Sequence, residues 1–404
     1  MTKEEKMGEK FAKLKDENKI LVMLAFFSIS IGLWENFKQL WLQGNSLDVT
    51  RISQILSISG LFCVAALLIF AKKISLKSIK KVITVAIFLK AVNLIILAIL
   101  NHTGLEIMVE IVIVFDSVLE NLIIISIYPF IVTIKKENKL YSKRKLVEYL
   151  FRDIGILIGG ILIGKTIAGI VFNYNLCLVI SILFLILAGI TVLHIKRTVV
   201  EEKTTNIKQS FKYIVKEKIL RNYLWYDLIS NIAMNTGLGL KMLMLTNLIG
   251  FSDGGATNYL LLVGLVADLI GILALKYFTP KNDYLTLTIK FGIRMWLYFI
   301  AFLSNNLMSC LIAITWSILI STAYENVTDA PYVNHVPNEH QLVFTNYRYI
   351  IKMIGTSIGL YFAGIMYPLG IPYMLGLSAF FMLFQLSMAY YLVYLRKRKT
   401  IEKN

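Results

Sequence analysis

The stretch that decides the fold runs from Tyr174 to Ile249. It reads YNLCLVISILFLILAGITVLHI over 174–195, KRTVVEEKTTNIKQSFKYIVKEKILRN over 196–222, and YLWYDLISNIAMNTGLGLKMLMLTNLI over 223–249. The two flanking segments are apolar for more than twenty residues each, enough in helical form to cross the roughly 30 Å hydrocarbon core of a bilayer. The segment between them is polar and rich in lysine. Span, basic loop, span is the pattern of a polytopic membrane protein, and this loop falls close to the middle of a 404-residue chain.

The rest of the chain repeats that pattern. Apolar residues make up 57% of it and charged residues only 17%, with a mean hydropathy of +0.68, so one water-soluble core is excluded. Apolar runs bounded by charge or turn residues predict twelve helical spans at about 20–42, 52–71, 82–100, 107–134, 147–170, 174–195, 223–249, 258–277, 285–303, 307–331, 343–367 and 372–395. The fold class is therefore all-α membrane protein. Met1 to Lys19 is polar, and the run after it is too long for a removable signal.

Charge orients the spans. Alternate connections carry Lys72, Lys73, Lys77, Lys80 and Lys81, then Lys135, Lys136, Lys139, Lys143, Arg144 and Lys145, then Lys196 to Arg221, then Arg396 to Lys399. The opposite connections offer little beyond Arg51. Short basic loops stay cytoplasmic, which places both termini and the central loop inside the cell and the chain in the plasma membrane. The net charge of +17 is explained by this topology, and no nucleic-acid motif accompanies it. Cys63, Cys177 and Cys310 lie singly inside apolar runs, so neither a disulfide nor a metal site is expected; the histidines His102, His194, His335 and His340 make no metal-ligand pattern either.

Six spans precede the central loop and six follow it, dividing the chain into 1–197, a linker at 198–222, and 223–404. In the linker Ile207, Phe211, Ile214, Val215 and Ile219 recur among Lys208, Lys212, Lys216 and Lys218. That is a basic amphipathic helix, lying either on an anionic membrane surface or in solvent. The halves also match in detail. Lys38-x-Leu40-x-Leu42 in the first span corresponds to Lys241-x-Leu243-x-Leu245 in the seventh, and Gly60 and Lys72 correspond to Gly264 and Lys276. The offsets are about 203 and 204 residues, and Arg152 with Gly159 against Arg348 with Gly355 adds one of about 196. Ordered matches of this kind predict a duplication.

The six-plus-six layout, the central basic loop, the basic loop after the second span and the glycine-rich fifth span, Arg152 to Gly160, resemble the major facilitator superfamily over nearly the whole chain. In place of the family's Gly-x-x-x-Asp-Arg-x-Gly-Arg-Lys loop the chain reads Phe70-Ala71-Lys72-Lys73-Ile74-Ser75-Leu76-Lys77, keeping only the positive charge, and the fifth span lacks the antiporter-type proline. The resemblance implies a monomeric secondary transporter of a small solute, working by alternating access without a cofactor, with the first and seventh spans facing the substrate. It implies no enzyme activity, and no nucleophile and base combine into a catalytic pattern. A receptor, immunity or assembly protein on a degenerate transporter fold is the alternative.

Ionisable groups inside spans cost roughly 2.5–3.5 kcal/mol each at a helix centre on insertion scales, so they mark candidate sites. Trp34, Glu35 and Lys38 cluster in the first span; Lys241 is the counterpart of Lys38 in the seventh, near Asn231 and Asn235. These are candidate substrate or ion contacts, with snorkelling of the lysines as the plainer reading. Asp116 and Glu120 share one face of the fourth span, where mutual repulsion would raise at least one pKa toward neutrality and make a proton carrier that couples transport to the proton gradient, unless Lys90 or Arg294 neutralises them. Asp268 reads as a structural partner for such a base. Glu148 and Arg152 are spaced for a local pair, and Arg348 is expected to reach Glu325 or Asp329, either as a gate or as a static brace. Gly155 and Gly159, Gly160 and Gly164, and Gly355 and Gly359 form small-x-x-x-small contacts between helices.

Overall fold

Inside lipid every backbone N–H and C=O must find a partner within its own segment, so the apolar runs fold as helices. The structure, a computed structural model, describes residues 15–35, 37–71, 78–132, 138–163, 166–167, 170–171, 173–196, 207–277, 283–333 and 336–401. The first six predicted spans are α1 (Asp16–Glu35) continued by α2 (Lys38–Gly44), α3 (Val49–Ala71), α4 (Ile79–Leu100), α5 (Glu106–Val132), α6 (Asn138–Leu162) and α7 (Tyr174–Leu193). Helix α8 (Ile207–Lys216) occupies the linker. The remaining spans are α9 (Lys218–Leu238) with α10 (Lys241–Leu243) and a π-turn at Met244–Leu248; α11 (Asp253–Tyr277); α12 (Asp283–Leu287), a π-turn at Thr288–Gly292 and α13 (Ile293–Ser304); α14 (Leu307–Val333); α15 (Asn338–Met366); and α16 (Ile371–Ile401).

Eight of these stretches are long and apolar enough to cross a membrane. The other four predicted spans, α5, α6, α11 and α14, are helices of 25 or 27 residues. Large apolar side chains such as Ile99, Ile107, Leu262 and Leu303 point outward, more than 60% exposed, an arrangement stable only in hydrocarbon. The chain is an integral membrane protein. The fifth span needs correction at both ends: it runs from Asn138 to Leu162, not from 147 to 170, and is followed by the antiparallel pair β1 (Thr166–Ile167) and β2 (Ile170–Val171). β-Branched Thr166, Ile167, Ile170 and Val171 suit that extended pairing.

The chain divides into two compact units, residues 1–46, 65–203 and 253–258 in one, 47–64, 204–252 and 259–404 in the other. Their internal arrangements repeat. In the first unit α1 packs on α6 and α7, and α4 on α5 and α7; in the second α9 packs on α15 and α16, and α13 on α14 and α16. The first-to-fifth, first-to-sixth, third-to-fourth and third-to-sixth pairings are thus the same in both halves, so the two bundles are pseudo-symmetric. The first helix of each half also breaks at the same place and restarts at a lysine, Lys38 in α2 and Lys241 in α10.

Glycines set the closest contacts. A Cβ on Gly32 of α1 would collide with the Arg152 carbonyl of α6, and one on Gly155 with the Ile29 carbonyl. In the second unit a Cβ on Gly359 of α15 would lie 2.6 Å from the Ile232 carbonyl and 2.8 Å from Asn235 Cβ on α9. Because Ile29 and Gly32 correspond to Ile232 and Asn235, Gly155 corresponds to Gly359, at an offset of about 204 that agrees with the earlier spans. The sequence pairing of Gly159 with Gly355 is therefore corrected by eight residues, about two helical turns. Gly359→Leu is expected to lower stability by about 1–3 kcal/mol through overpacking, read as an earlier midpoint in thermal denaturation of the detergent-purified protein.

Candidate functional site

Helix α4 turns Ile79, Ile83, Ala86, Ile87, Lys90, Ala91, Leu94 and Leu97 into the first unit, so Lys90 occupies a core position in an apolar stripe. Helix α5 does the same with Val109, Ile113, Asp116 and Ile123. Helix α1 contributes Trp34 and Glu35, and Lys38, at the head of α2, lies three residues further on beside Glu35.

The side chains meet closely. Lys90 Nζ donates to Asp116 Oδ1 at 2.7 Å and to Glu120 Oε2 at 2.9 Å. Lys38 Nζ donates to Glu35 Oε1 at 2.7 Å and lies 3.4 Å from Asp116 Oδ2, which also accepts the Trp34 indole N–H at 3.1 Å. Asp116 is fully buried and Lys90 1% exposed, whereas the side chains of Glu120 and Glu35 are 13% and 32% exposed. The cluster thus has a dry end at Asp116 and an open end at Glu35. Charges withdrawn from water this far persist only when paired and hydrogen-bonded, and these are.

Three carboxylates stand against two ammonium groups, leaving one negative charge in excess. Carboxylate oxygens of Glu35, Asp116 and Glu120 lie within 4.8 Å of one another, close enough to ligate a metal ion. A metal does not fit, because the ammonium groups of Lys38 and Lys90 already hold the cationic positions between those oxygens. Of the two readings of Asp116 and Glu120, mutual repulsion or neutralisation by Lys90 or Arg294, the geometry matches neutralisation by Lys90, which sits between them.

The second unit carries no copy of this network among its described residues. Lys90 corresponds to Arg294 at the same offset of about 204, and Arg294 is buried with its Nε donating to Met382 Sδ at 3.3 Å and its Nη1 to Met234 Sδ at 3.7 Å. Asn231 and Asn235 donate to the carbonyls of Asp227 and Asn231, one helical turn back, and Asn235 also reaches Thr356 Oγ1 of α15 at 3.2 Å. Both asparagines therefore lie along the α9–α15 contact. Lys241 is half-buried at the head of α10.

Arg348 finds a partner that sequence reasoning missed. It pairs with Asp227 of α9, through Nη2 to Oδ1 at 3.3 Å and through Nε to Oδ2, and its guanidinium stacks 4.8 Å from the centre of the Tyr223 ring. The available signal for Asp227 was a carboxylate at the fifth residue of the predicted span 223–249. The side chains of Asp268, Glu325 and Asp329, and residues Asn36 and His335, lie outside the described set. Glu148 is half-buried, and Arg152 is exposed with its guanidinium 5.3 Å from the Tyr149 ring centre.

No family model and no curated protein matches this chain by sequence. Solved structures do match. The nucleoside transporter NupG aligns with a TM-score of 0.67 at 12% identity, covering 95% of this chain and 100% of its own. A bacterial homologue of the human lysosomal transporter Spinster, inward-facing and occupied, aligns at 0.70 and 13%, covering 94% and 96%. The major facilitator superfamily transporter FucP in its outward conformation aligns at 0.63 and 14%, covering 94% and 99%. With the repeated helix pairing above, these likenesses show that the chain has the fold of the major facilitator superfamily.

Proposed function

We propose that this protein is a secondary transporter that moves a small solute across the plasma membrane by alternating access, coupled to the proton gradient. The observation that carries the coupling is the charge balance of the buried cluster: three carboxylates, two ammonium groups, and one open end at Glu35. In a medium of low dielectric an unbalanced charge is costly, and a single proton bound between Glu35 and Glu120 removes it. Asp116, Lys90, Lys38 and Trp34 hold these two acids in place. One structural neighbour is described as a fucose:proton symporter, a precedent for this coupling on the same fold. The lysine-rich connections support a cytosolic location for both termini.

In this mechanism the proton and the solute bind on one side of the membrane and leave on the other, access to their sites alternating between the two sides. The test is solute counterflow in proteoliposomes across a panel of compounds, with and without an imposed pH gradient. Glu35→Gln keeps the shape of the side chain and removes its titration. It is expected to retain counterflow at equal pH while losing gradient-driven accumulation by at least about tenfold, a 1.4 kcal/mol effect. Unchanged gradient-driven accumulation in Glu35→Gln refutes the coupling. Absence of flux for every solute, with a bound protein partner, turns the reading toward a non-transporting receptor or assembly factor.

A further inference from the structure

The linker helix α8 carries an apolar arc wider than the surface that covers it. Ser210 and Ile214, one turn apart, are buried against the second unit: the Ser210 hydroxyl lies 2.9 Å from His340 Nδ1, and Ile214 packs with Val336, Val343, Phe344 and Tyr223. Tyr213 stacks on His340 with ring centres 4.6 Å apart, and Phe211 meets Tyr347 at 4.9 Å. A helix pinned on one flank like this has a fixed rotation. Phe211 and Val215, about 100° further round, remain 44% and 40% exposed, and Lys212 and Lys216, another 100° on, are exposed.

Protein, then uncovered apolar strip, then lysines is the cross-section of a helix at a membrane surface, with the strip among the acyl chains and the ammonium groups reaching the headgroups. The charge selects the occupant. Lysines beside a half-exposed apolar strip complement a leaflet of anionic lipid, the ammonium groups meeting the phosphates while the open sides of Phe211 and Val215 enter the acyl region. We propose that α8 is an anionic-lipid docking element that seats the lower end of α9 and α15 on the cytoplasmic leaflet. This rests on the inward placement of the linker given above.

The experiment uses the full chain carrying Val215→Cys. The native thiols Cys63, Cys177 and Cys310 are buried, so a polarity-sensitive thiol probe labels the new position. The labelled protein is reconstituted with brominated phosphatidylcholine alone or with increasing phosphatidylglycerol. Bromine quenching that grows with the phosphatidylglycerol fraction is expected, and Lys212→Gln and Lys216→Gln should each raise the fraction needed for half-maximal quenching about fivefold. Emission that stays water-like in every mixture overturns the proposal, as does quenching independent of lipid charge. Shielding that follows the protein-to-lipid ratio assigns the strip to a second copy of the chain and overturns it too. Labelling in intact cells with an impermeant thiol reagent reports sidedness separately: reaction from outside refutes the orientation, while the vesicle result still reports lipid contact.

Discussion

Replacing Lys90 with methionine is expected to abolish gradient-driven transport and to destabilise the protein by about 3–5 kcal/mol. Lys90 Nζ bridges Asp116 Oδ1 and Glu120 Oε2 at 2.7 and 2.9 Å, and it is 1% exposed, so no water replaces it. Its removal takes the cluster from one excess negative charge to two and leaves Asp116 fully buried with only Lys38 and Trp34 as donors. Methionine fills nearly the same volume, which makes the loss electrostatic rather than a cavity effect. Denaturation followed by tryptophan fluorescence is a suitable readout, since Trp34 touches the cluster. The double replacement Lys90→Met with Asp116→Asn restores the charge balance and should recover most of the stability without recovering coupling. Lys90→Arg keeps the charge but substitutes a planar fork for a compact ammonium, so an intermediate result is expected. A Lys90→Met protein with wild-type stability and transport would show that the ion pairs contribute nothing.

Arg348→Met is expected to cost a similar amount, about 3–5 kcal/mol, in the other unit, because it takes the guanidinium away from Asp227, whose side chain is 3% exposed. The loss extends beyond the pair. Arg348 also lies over Tyr223, which is fully buried in the cluster that holds Ile214 of the linker helix, so loosening α9 against α15 should loosen α8 as well. Limited proteolysis of the purified variant is the check, with faster cleavage in the linker as the expected outcome. Arg348→Met combined with Asp227→Asn removes both charges and should regain most of the stability. In contrast to the Lys90 variant, folded Arg348→Met protein should keep its dependence on the pH gradient, since the pair lies outside the carboxylate cluster. Equal stability of the single and double variants would refute the buried-charge argument.

The sequence by itself determined the class, the count and order of the spans, the distribution of basic loops and the duplication. Lipid permits only one backbone solution for a run of twenty apolar residues, so length and charge are read directly along the chain. It also singled out Trp34, Glu35, Lys38, Asp116 and Glu120, because an ionisable group inside a span is costly enough to be conspicuous. Only the tertiary structure decided which of them meet. It put Lys90 between two acids of the neighbouring helix, paired Arg348 with Asp227, aligned Gly155 with Gly359, and ended the fifth span at Leu162. The reason is physical: a helix apolar around its whole circumference carries no mark of which side faces its neighbours. Rotation and depth are set by how glycines and side chains interlock across helices, and that information exists only once the helices are packed.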